Sequence, residues 1–310
     1  MRVVSLFDGM SCGQLALDKL GIKPTYFASE IDKYAMQVTK ANYPNTHFIG
    51  DVTKVDAKLL PKIDLLLGGS PCQGFSFAGK QLNFDDPRSK LFFEYVRLLK
   101  ELKPKYFLLE NVRMKKESQD IISEYLGVQP IAINSNLVSA QNRHRLYWTN
   151  IPNITQPKDK QINLKDIIED GVTDRTKSHC IDANYFKGGN LKSYFEKHRR
   201  QLIFSDEGLC HVGDADLKGH GYVRRVYSPE GKAPSLCASS GGNLEPKILI
   251  ENTTWRKLTP LECERLQTVP DGYTKSVSNT QRYRMLGNGW TVDVISHILS
   301  NMEQNKWQLK

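Results

Sequence analysis

No stretch of this sequence approaches the ~18 consecutive apolar residues that a helix needs to cross a bilayer, so no membrane partner is expected. No leader is expected either, since Met1-Arg2-Val3-Val4 runs directly into strand-like text. Cysteine is sparse, six in 310 residues, and the six are scattered without paired spacing. That excludes a disulfide framework and points to free thiols in a reducing, cytoplasmic compartment. His179-Cys180 and Cys210-His211 are adjacent pairs rather than the spaced pairs of a zinc site, so no metal is expected. The G-x-G-x-x-G fingerprint of nicotinamide-binding folds is missing, and there is no internal repeat, low-complexity tract or long linker. What is there is globular text, 39 % hydrophobic and 25 % charged, long enough for one large domain or two. A net charge of +9 favours a polyanionic partner such as nucleic acid.

The first half alternates strand and helix. Val3 to Phe7 reads as a strand, Asp8 to Gly13 as a glycine turn and Gln14 to Leu17 as a helix, the unit that open α/β sheets use for nucleosides. Thr25 to Ala28 is a second strand leading to Glu30, about 20 residues past the turn, where such folds place an acid on ribose hydroxyls. A solvated carboxylate opening the next helix is the alternative reading. His47 to Ile49 followed by Gly50-Asp51 repeats the pattern of strand and acid. Leu91 to Leu102 is an amphipathic helix, Tyr106 to Leu109 a buried strand ending in Glu110-Asn111-Val112, and Ile121 to Tyr125 a helix. Strands follow at Ile131 to Ile133 and Leu146 to Trp148. The fold class is therefore α/β, a doubly wound, mostly parallel sheet. From Ile151 to Glu251 the text turns irregular, with short alternating pieces such as Tyr222 to Tyr227, and reads as a small loop- and strand-rich second domain. Helices return at Leu261 to Leu266 and from Thr291 to Leu299.

The stretch Gly68-Gly69-Ser70-Pro71-Cys72-Gln73-Gly74-Phe75-Ser76 follows the apolar run Ile63 to Leu67. It sets a cysteine just past the carboxyl end of a strand, where open α/β sheets carry their chemistry. Pro71 fixes φ and Gly74 permits a sharp turn, so the thiol would stand in the open as a nucleophile. Taken alone, the same cysteine reads equally as a small buried hydrophobe.

Six motifs in order give the pattern a family. Phe7-Asp8-Gly9 with Gly13, Ser70-Pro71-Cys72, Glu110-Asn111-Val112 and Gln141-x-Arg143-x-Arg145 come first. Leu258-Thr259-Pro260 with Glu264-Arg265-Leu266-Gln267, and Leu286-Gly287-Asn288-Gly289, follow. The chain resembles the DNA (cytosine-5)-methyltransferases of bacteria and phages, and its catalytic half is also similar to the animal de novo type. The resemblance implies a sheet of the S-adenosylmethionine-dependent methyltransferase type. It implies S-adenosyl-L-methionine as cofactor, with S-adenosyl-L-homocysteine as product, in a pocket formed by Phe7, Asp8, Gly9, Gly13, Glu30, Ile31, Asp51, Val52, Ser70, Pro71, Asn288 and Trp290. Glu30 would hold the ribose, Asp51 the adenine amino group, and Trp290 would pack beside the cofactor.

The resemblance also assigns the chemistry, to Cys72, Glu110, Arg143 and Arg145. Cytosine C5 is a poor nucleophile until something adds at C6, and a thiolate from Cys72 would do this. Glu110, protonated near N3, would offset the charge that builds on the ring, while Arg145 holds the base and Arg143 orients the loop. The alternative for these arginines is a surface pair on a solvated strand. C6 is inaccessible within a duplex, so the base must be flipped out. The segment from Gly74 to Lys90 is long enough to close over DNA, with Ser76, Lys80 and Arg88 near the vacated space.

Three segments follow from the resemblance: a catalytic and cofactor-binding domain over 1–157, a target-recognition domain over 158–255, and a C-terminal segment over 256–310 that completes the first. Lys192, Lys197, Arg199, Arg200, Arg224 and Arg225 would meet DNA, and Ser235 of Pro234-Ser235-Leu236 would lie near the flipped nucleotide. Double-stranded DNA is the expected partner of a monomer, with a restriction endonuclease possible as a companion in the same system rather than a bound partner. A tRNA cytosine methyltransferase is the rival in substrate, disfavoured by the ~100-residue recognition region and the absence of that type's Cys-Phe-Thr motif. A non-catalytic DNA-binding relative is the rival in class, and the presence of both Cys72 and Glu110 speaks against it.

Overall fold

Leu65, Leu66 and Leu67 are all fully buried, on both sides of their strand, because helices cover both faces of the sheet to which it belongs. In the computed structural model this sheet has seven strands: β1 (Arg2–Leu6), β2 (Thr25–Ser29), β3 (His47–Phe48), β4 (Leu65–Gly68), β5 (Tyr106–Val112), β6 (Ile131–Asn134) and β7 (His144–Thr149). Residues 1–70, 90–189, 191–205, 211–214, 225–227, 247–248 and 255–303 are described, those of 192–193, 211–214, 225–227 and 247–248 in their backbone alone, so the side chain of Lys192 lies outside the description. The strand order is β3-β2-β1-β4-β5-β7-β6, with β7 antiparallel to both neighbours and the other pairs parallel. This is the mostly parallel, doubly wound sheet of the S-adenosylmethionine-dependent methyltransferase fold.

Alternation along the strands divides the core in two. Val3, Leu65, Leu67, Leu108 and Tyr147 face one side. There they meet α1 (Cys12–Lys19) and, far along the chain, α8 (Val292–Leu299), which pack on each other. Val4, Leu66, Phe107, Leu109 and Trp148 face the other, beneath α3 (Lys90–Leu102) and α4 (Lys116–Leu126). Helix α3 sets Phe92, Tyr95 and Val96 inward at the spacing of one helical stripe. Between β2 and β3 runs α2 (Lys33–Asn42), whose cap is the Asp32 carboxylate accepting from Tyr34 N.

The ends of three elements differ from the expectation. Strand β5 continues through Glu110 and Asn111 to Val112, and β7 begins at His144, so that Arg145 lies within a strand. Their antiparallel register runs from Leu108 opposite Thr149 to Val112 opposite Arg145. Ladder pairing carries the polar residues that mark a strand end in the sequence alone. Helix α4 likewise starts before Ile121, its first turns being charged rather than apolar.

After β7 come short elements: α5 (Leu191–Lys197), β8 (Leu202–Phe204) paired antiparallel with β12 (Trp255–Lys257), and a separate ladder of β9 (His211–Asp214), β10 (Arg225–Tyr227) and β11 (Lys247–Ile248). Leu164, Ile167, Ile181, Tyr185 and Ile203 nonetheless join the core of Val3 and Leu67. The chain then returns through α6 (Pro260–Leu266) and α7 (Asn279–Asn288) to α8. Leu258-Thr259-Pro260 is a helix start. Thr259 accepts from Glu262 N, Glu262 reaches back to Thr259 N, and proline takes the first helical turn. No helix among the described residues is long and apolar enough to cross a membrane.

Candidate active site

The candidate residues gather at the carboxyl ends of β1, β2, β4 and β5. After β1 the backbone takes left-handed conformations at Phe7 (φ 57°), Gly9 (φ 60°) and Ser11 (φ 64°), folding a tight loop before α1. Only glycine adopts this without strain, so the loop must be held from outside. Asp8 N donates to Ser29 O (3.1 Å) and Gly9 N to Glu30 Oε2 (2.7 Å), which lashes the loop to the end of β2. Glu30 Oε1 accepts from the amides of Ile31 and Asp32, each at 2.7 Å. The carboxylate of Glu30 thus braces two loops, with about one of its four lone pairs, on Oε2, left for a ligand.

The side chain of Asp8 turns inward. It is buried, accepting from Ser11 Oγ (2.6 Å) and Tyr26 Oη (2.8 Å), and burial pushes the carboxyl up to about 6. Its main chain is what remains to face a pocket. The side chain of Val52 is likewise buried, beside Val55 and Leu66 in the second core, so that only its main chain can face a pocket. Asp51 Oδ1 accepts from Thr53 N and Oγ1, which lowers its pKa, while no donor among the described residues addresses Oδ2. Ile31 stands 76 % exposed beside Glu30, an apolar surface open to a ring.

Glu110 points to the α1 side of the sheet. Opposite it on β7 is Tyr147, and Arg145, two residues from Tyr147, is its diagonal neighbour on the same face. Arg145 Nε lies 3.0 Å from Glu110 Oε1. The other oxygen, Oε2, accepts from the indole N–H of Trp290 at 3.0 Å. Next along β5, Asn111 Nδ2 reaches the Ser70 carbonyl (3.5 Å) and Oγ (3.4 Å). Gly69 matters here, because a Cβ on it would come 3.0 Å from Trp290 Nε1 and 3.3 Å from Glu110 Oε2. The described chain therefore reaches Ser70, two residues before Cys72, alongside Glu110. Pro71, Cys72, Ser76, Lys80 and Arg88 lie outside the described residues, as do Arg224 and Ser235, and Arg225 is described in backbone only.

The two arginines of the Gln-x-Arg-x-Arg motif part company. Arg143 is buried and donates to Ile181 O, Gly287 O, Gly289 O and the thiol of Cys180, at 2.8 to 3.3 Å. It clamps the main chain on both sides of Asn288, whose own side chain is exposed. Around it runs a polar network that the motifs concealed. Gln141 Nε2 donates to Gln267 Oε1 and Leu266 O, Thr291 Oγ1 to Gln267 Oε1, Ser135 Oγ to Thr291 Oγ1, and Gln267 Nε2 to Leu286 O. Three motifs, the first more than a hundred residues before the other two, are thereby joined, and the residue types in Gln141-x-Arg143 and Leu266-Gln267 are the only signal of it in the sequence.

Of the basic residues expected on DNA, Arg199 pairs with Asp182 at 2.9 Å and Arg200 donates to Gly188 O. A cleft of about 700 Å³ bordered by Lys19, Lys158, Lys160, Asp293 and His297 lies at the far end of α1 from Gly13 and holds none of the candidate residues.

Comparison with known proteins identifies the family. The model of the C-5 cytosine-specific DNA methylase family matches residues 1–304. The type II methyltransferase M1.ScrFI of Lactococcus lactis subsp. cremoris is 32 % identical over 97 % of this chain and 77 % of its own. For the type II methyltransferase M.HhaI of Haemophilus parahaemolyticus the figures are 29 %, 97 % and 94 %. A crystal structure of a DNMT2 variant from Spodoptera frugiperda superposes with a TM-score of 0.64 at 19 % identity, covering 97 % of this chain and 98 % of that one, a likeness of fold. Sheet, motifs and relatives converge, and the chain belongs to the C-5 cytosine-specific DNA methylase family, as a DNA (cytosine-5)-methyltransferase.

Proposed function

We propose that the protein transfers a methyl group to C5 of a cytosine flipped out of a specific duplex DNA sequence, through a covalent bond between Cys72 and C6. The observation that carries this is Glu110, fixed at both oxygens beside the chain that leads into Cys72. Cys72 as a thiolate adds to C6, and a proton delivered at N3 by Glu110 keeps the ring from accumulating charge. S-adenosyl-L-methionine supplies an electrophilic methyl group on sulfonium sulfur. The C4=C5 enamine pair of the adduct takes that methyl and N3 returns its proton to Glu110; a base then removes the C5 proton, the C5=C6 bond re-forms and the thiolate leaves. Arg145 keeps the Glu110 carboxyl turned toward the base.

The residues present suit the cofactor. Asp51 with an open oxygen, Glu30 with a lone pair to spare and the exposed Ile31 follow the carboxyl ends of the paired strands β2 and β3, a set matched to an amino group, ribose hydroxyls and an adenine face. The reading extends to a cytoplasmic monomer whose 158–255 segment selects the target, and to membership of a restriction-modification system, which the names of the type II relatives support. DNA is favoured over tRNA because these relatives, similar along nearly the whole chain, are named among the type II methyltransferases, whereas the DNMT2 likeness is one of fold.

A duplex with 5-fluorocytosine at the target tests the covalent step, since fluorine at C5 cannot be lost as a proton. With S-adenosyl-L-methionine present, peptide mapping should find DNA bonded to Cys72. An adduct on another cysteine, or none on a sequence that the enzyme methylates, would defeat the mechanism.

A further inference from the structure

Trp290 lies between the two halves of the site. Its ring occupies the gap between the first turn of α1 and the end of β4: a Cβ on Gly13 would stand 3.5 Å from Cζ3, and one on Gly69 3.3 Å from Cζ2. From there its Nε1–H donates to Glu110 Oε2 at 3.0 Å, across 180 residues of sequence. The main chain beneath the indole is fixed. Gly289 O accepts from both Arg143 Nη2 (2.8 Å) and Gln267 Nε2 (3.1 Å), and the Thr291 hydroxyl is held by Gln267 and Ser135. A ring carried on so rigid a support holds its donor in one place.

We infer that Trp290 is the positioning residue for Glu110, and that both arginines of the Gln-x-Arg-x-Arg motif act on that one carboxyl. Arg145 acts on it directly, and Arg143 acts through Gly289 and the indole. The arrangement has a chemical logic. Arg145 brings a positive charge to Oε1, and a second cation at Oε2 would stand against the proton that N3 must receive. An indole N–H fixes Oε2 without charge, and a tryptophan has no acceptor with which to compete for that proton. Because the same ring borders Gly13 and Gly69, it also joins the cofactor side of the site to the cytosine side.

The inference rests on Glu110 acting at cytosine, and the test separates the two. Trp290→Phe keeps a ring and removes the donor. Turnover on duplex DNA should fall about tenfold, the worth of one hydrogen bond to a charged group. Release of tritium from 5-tritiated cytosine without cofactor, which needs the C6 addition but no methyl transfer, should fall in parallel. The thermal midpoint should stay near wild type, and kcat should fall by more than the KM for S-adenosyl-L-methionine rises. In a Glu110→Gln background the same change should cost nothing further, since the pair acts as a unit. Wild-type turnover in Trp290→Phe, a loss confined to cofactor KM, or full additivity would overturn the inference. If Trp290→Phe does not fold, the ¹⁵N-labelled indole signals decide. One of the four tryptophan N–H resonances should move when Glu110 becomes Gln in an otherwise native protein, and four unmoved signals would reject the bond. Should Glu110→Gln itself retain full turnover, the proposed function fails whatever Trp290 does. Should it be inactive while Trp290→Phe is unimpaired, the positioning role alone falls.

Discussion

The Tyr26 hydroxyl donates to Asp8 Oδ1 at 2.8 Å, and this bond, with that from Ser11, turns the carboxyl of the first loop into the protein. Burial, opposed by these hydroxyls and reinforced by Glu30, pushes Asp8 up to about 6 from 3.8. The folded state therefore holds a proton that the unfolded chain has already lost. Stability from this site is intact below about pH 4 and declines as pH rises, by about 3 kcal/mol in all once pH exceeds 6. Asp8→Asn removes the titration and keeps the shape. Relative to wild type, the variant should gain about that amount between acid and neutral pH in paired urea titrations. Parallel curves for the two proteins would show that Asp8 does not titrate in this range.

Arg143 and Arg145 should fail in different ways. Arg143 is buried among three main-chain carbonyls and a thiol, so Arg143→Ala leaves several acceptors unpaired. It should cost about 3–5 kcal/mol of stability. Arg145→Ala removes the charged partner of Glu110 while the strand pairing of β7 is made by main chain. It should fold normally and lose turnover by about a hundredfold. Thermal melts and steady-state assays on both variants check the contrast, and a swap of the two phenotypes would contradict the geometry.

How much of this the sequence carries depends on the distance over which each feature is built. Leu65-Leu66-Leu67 reads directly as a strand covered on both faces, and the strand-turn-helix at Phe7 to Leu17 follows from glycine and apolar spacing. Helix α7 escapes such reading because Leu286-Gly287-Asn288-Gly289 looks like a loop, and glycine within a helix costs about 1 kcal/mol. Tertiary support overrides that, with Leu286 wholly buried and Tyr283 donating to Leu258 O. The contact between Glu110 and Trp290 leaves no local trace, since neither periodicity nor spacing links residues so far apart. The inward turn of Asp8 is hidden for the same reason: its partner Tyr26 belongs to the neighbouring strand.

Among the described cysteines, Cys180 should be the reactive one. Burial works against its thiolate, but the guanidinium groups of Arg143 and Arg145 outweigh it and hold the thiol below its ordinary value. Burial pushes Cys12 up to about 12 and raises Cys263 well above its usual range. Brief iodoacetamide treatment of the native protein should therefore label Cys180 well ahead of Cys12 and Cys263 by peptide mass spectrometry. Equal labelling of the three would mean that the arginines do not govern this thiol.

Glu30 and Asp51 are both proposed to hold the cofactor, and the structure gives them unequal further duties. Glu30 accepts from three backbone amides, among them Gly9 N in the strained loop. Asp51 uses one oxygen to cap a short turn at Thr53 and keeps the other open. Asp51→Asn retains the capping oxygen and changes what the open side offers, from an acceptor to a donor. It should weaken S-adenosyl-L-methionine binding about tenfold in calorimetry and leave the melting temperature unchanged. Glu30→Ala should weaken binding by at least as much and also lower the melting temperature by several degrees, because the loop from Phe7 to Ser11 loses its brace. Native cofactor affinity in both variants would place the ligand elsewhere, and a melting loss in Asp51→Asn comparable to that in Glu30→Ala would show that the two carboxylates share one structural role.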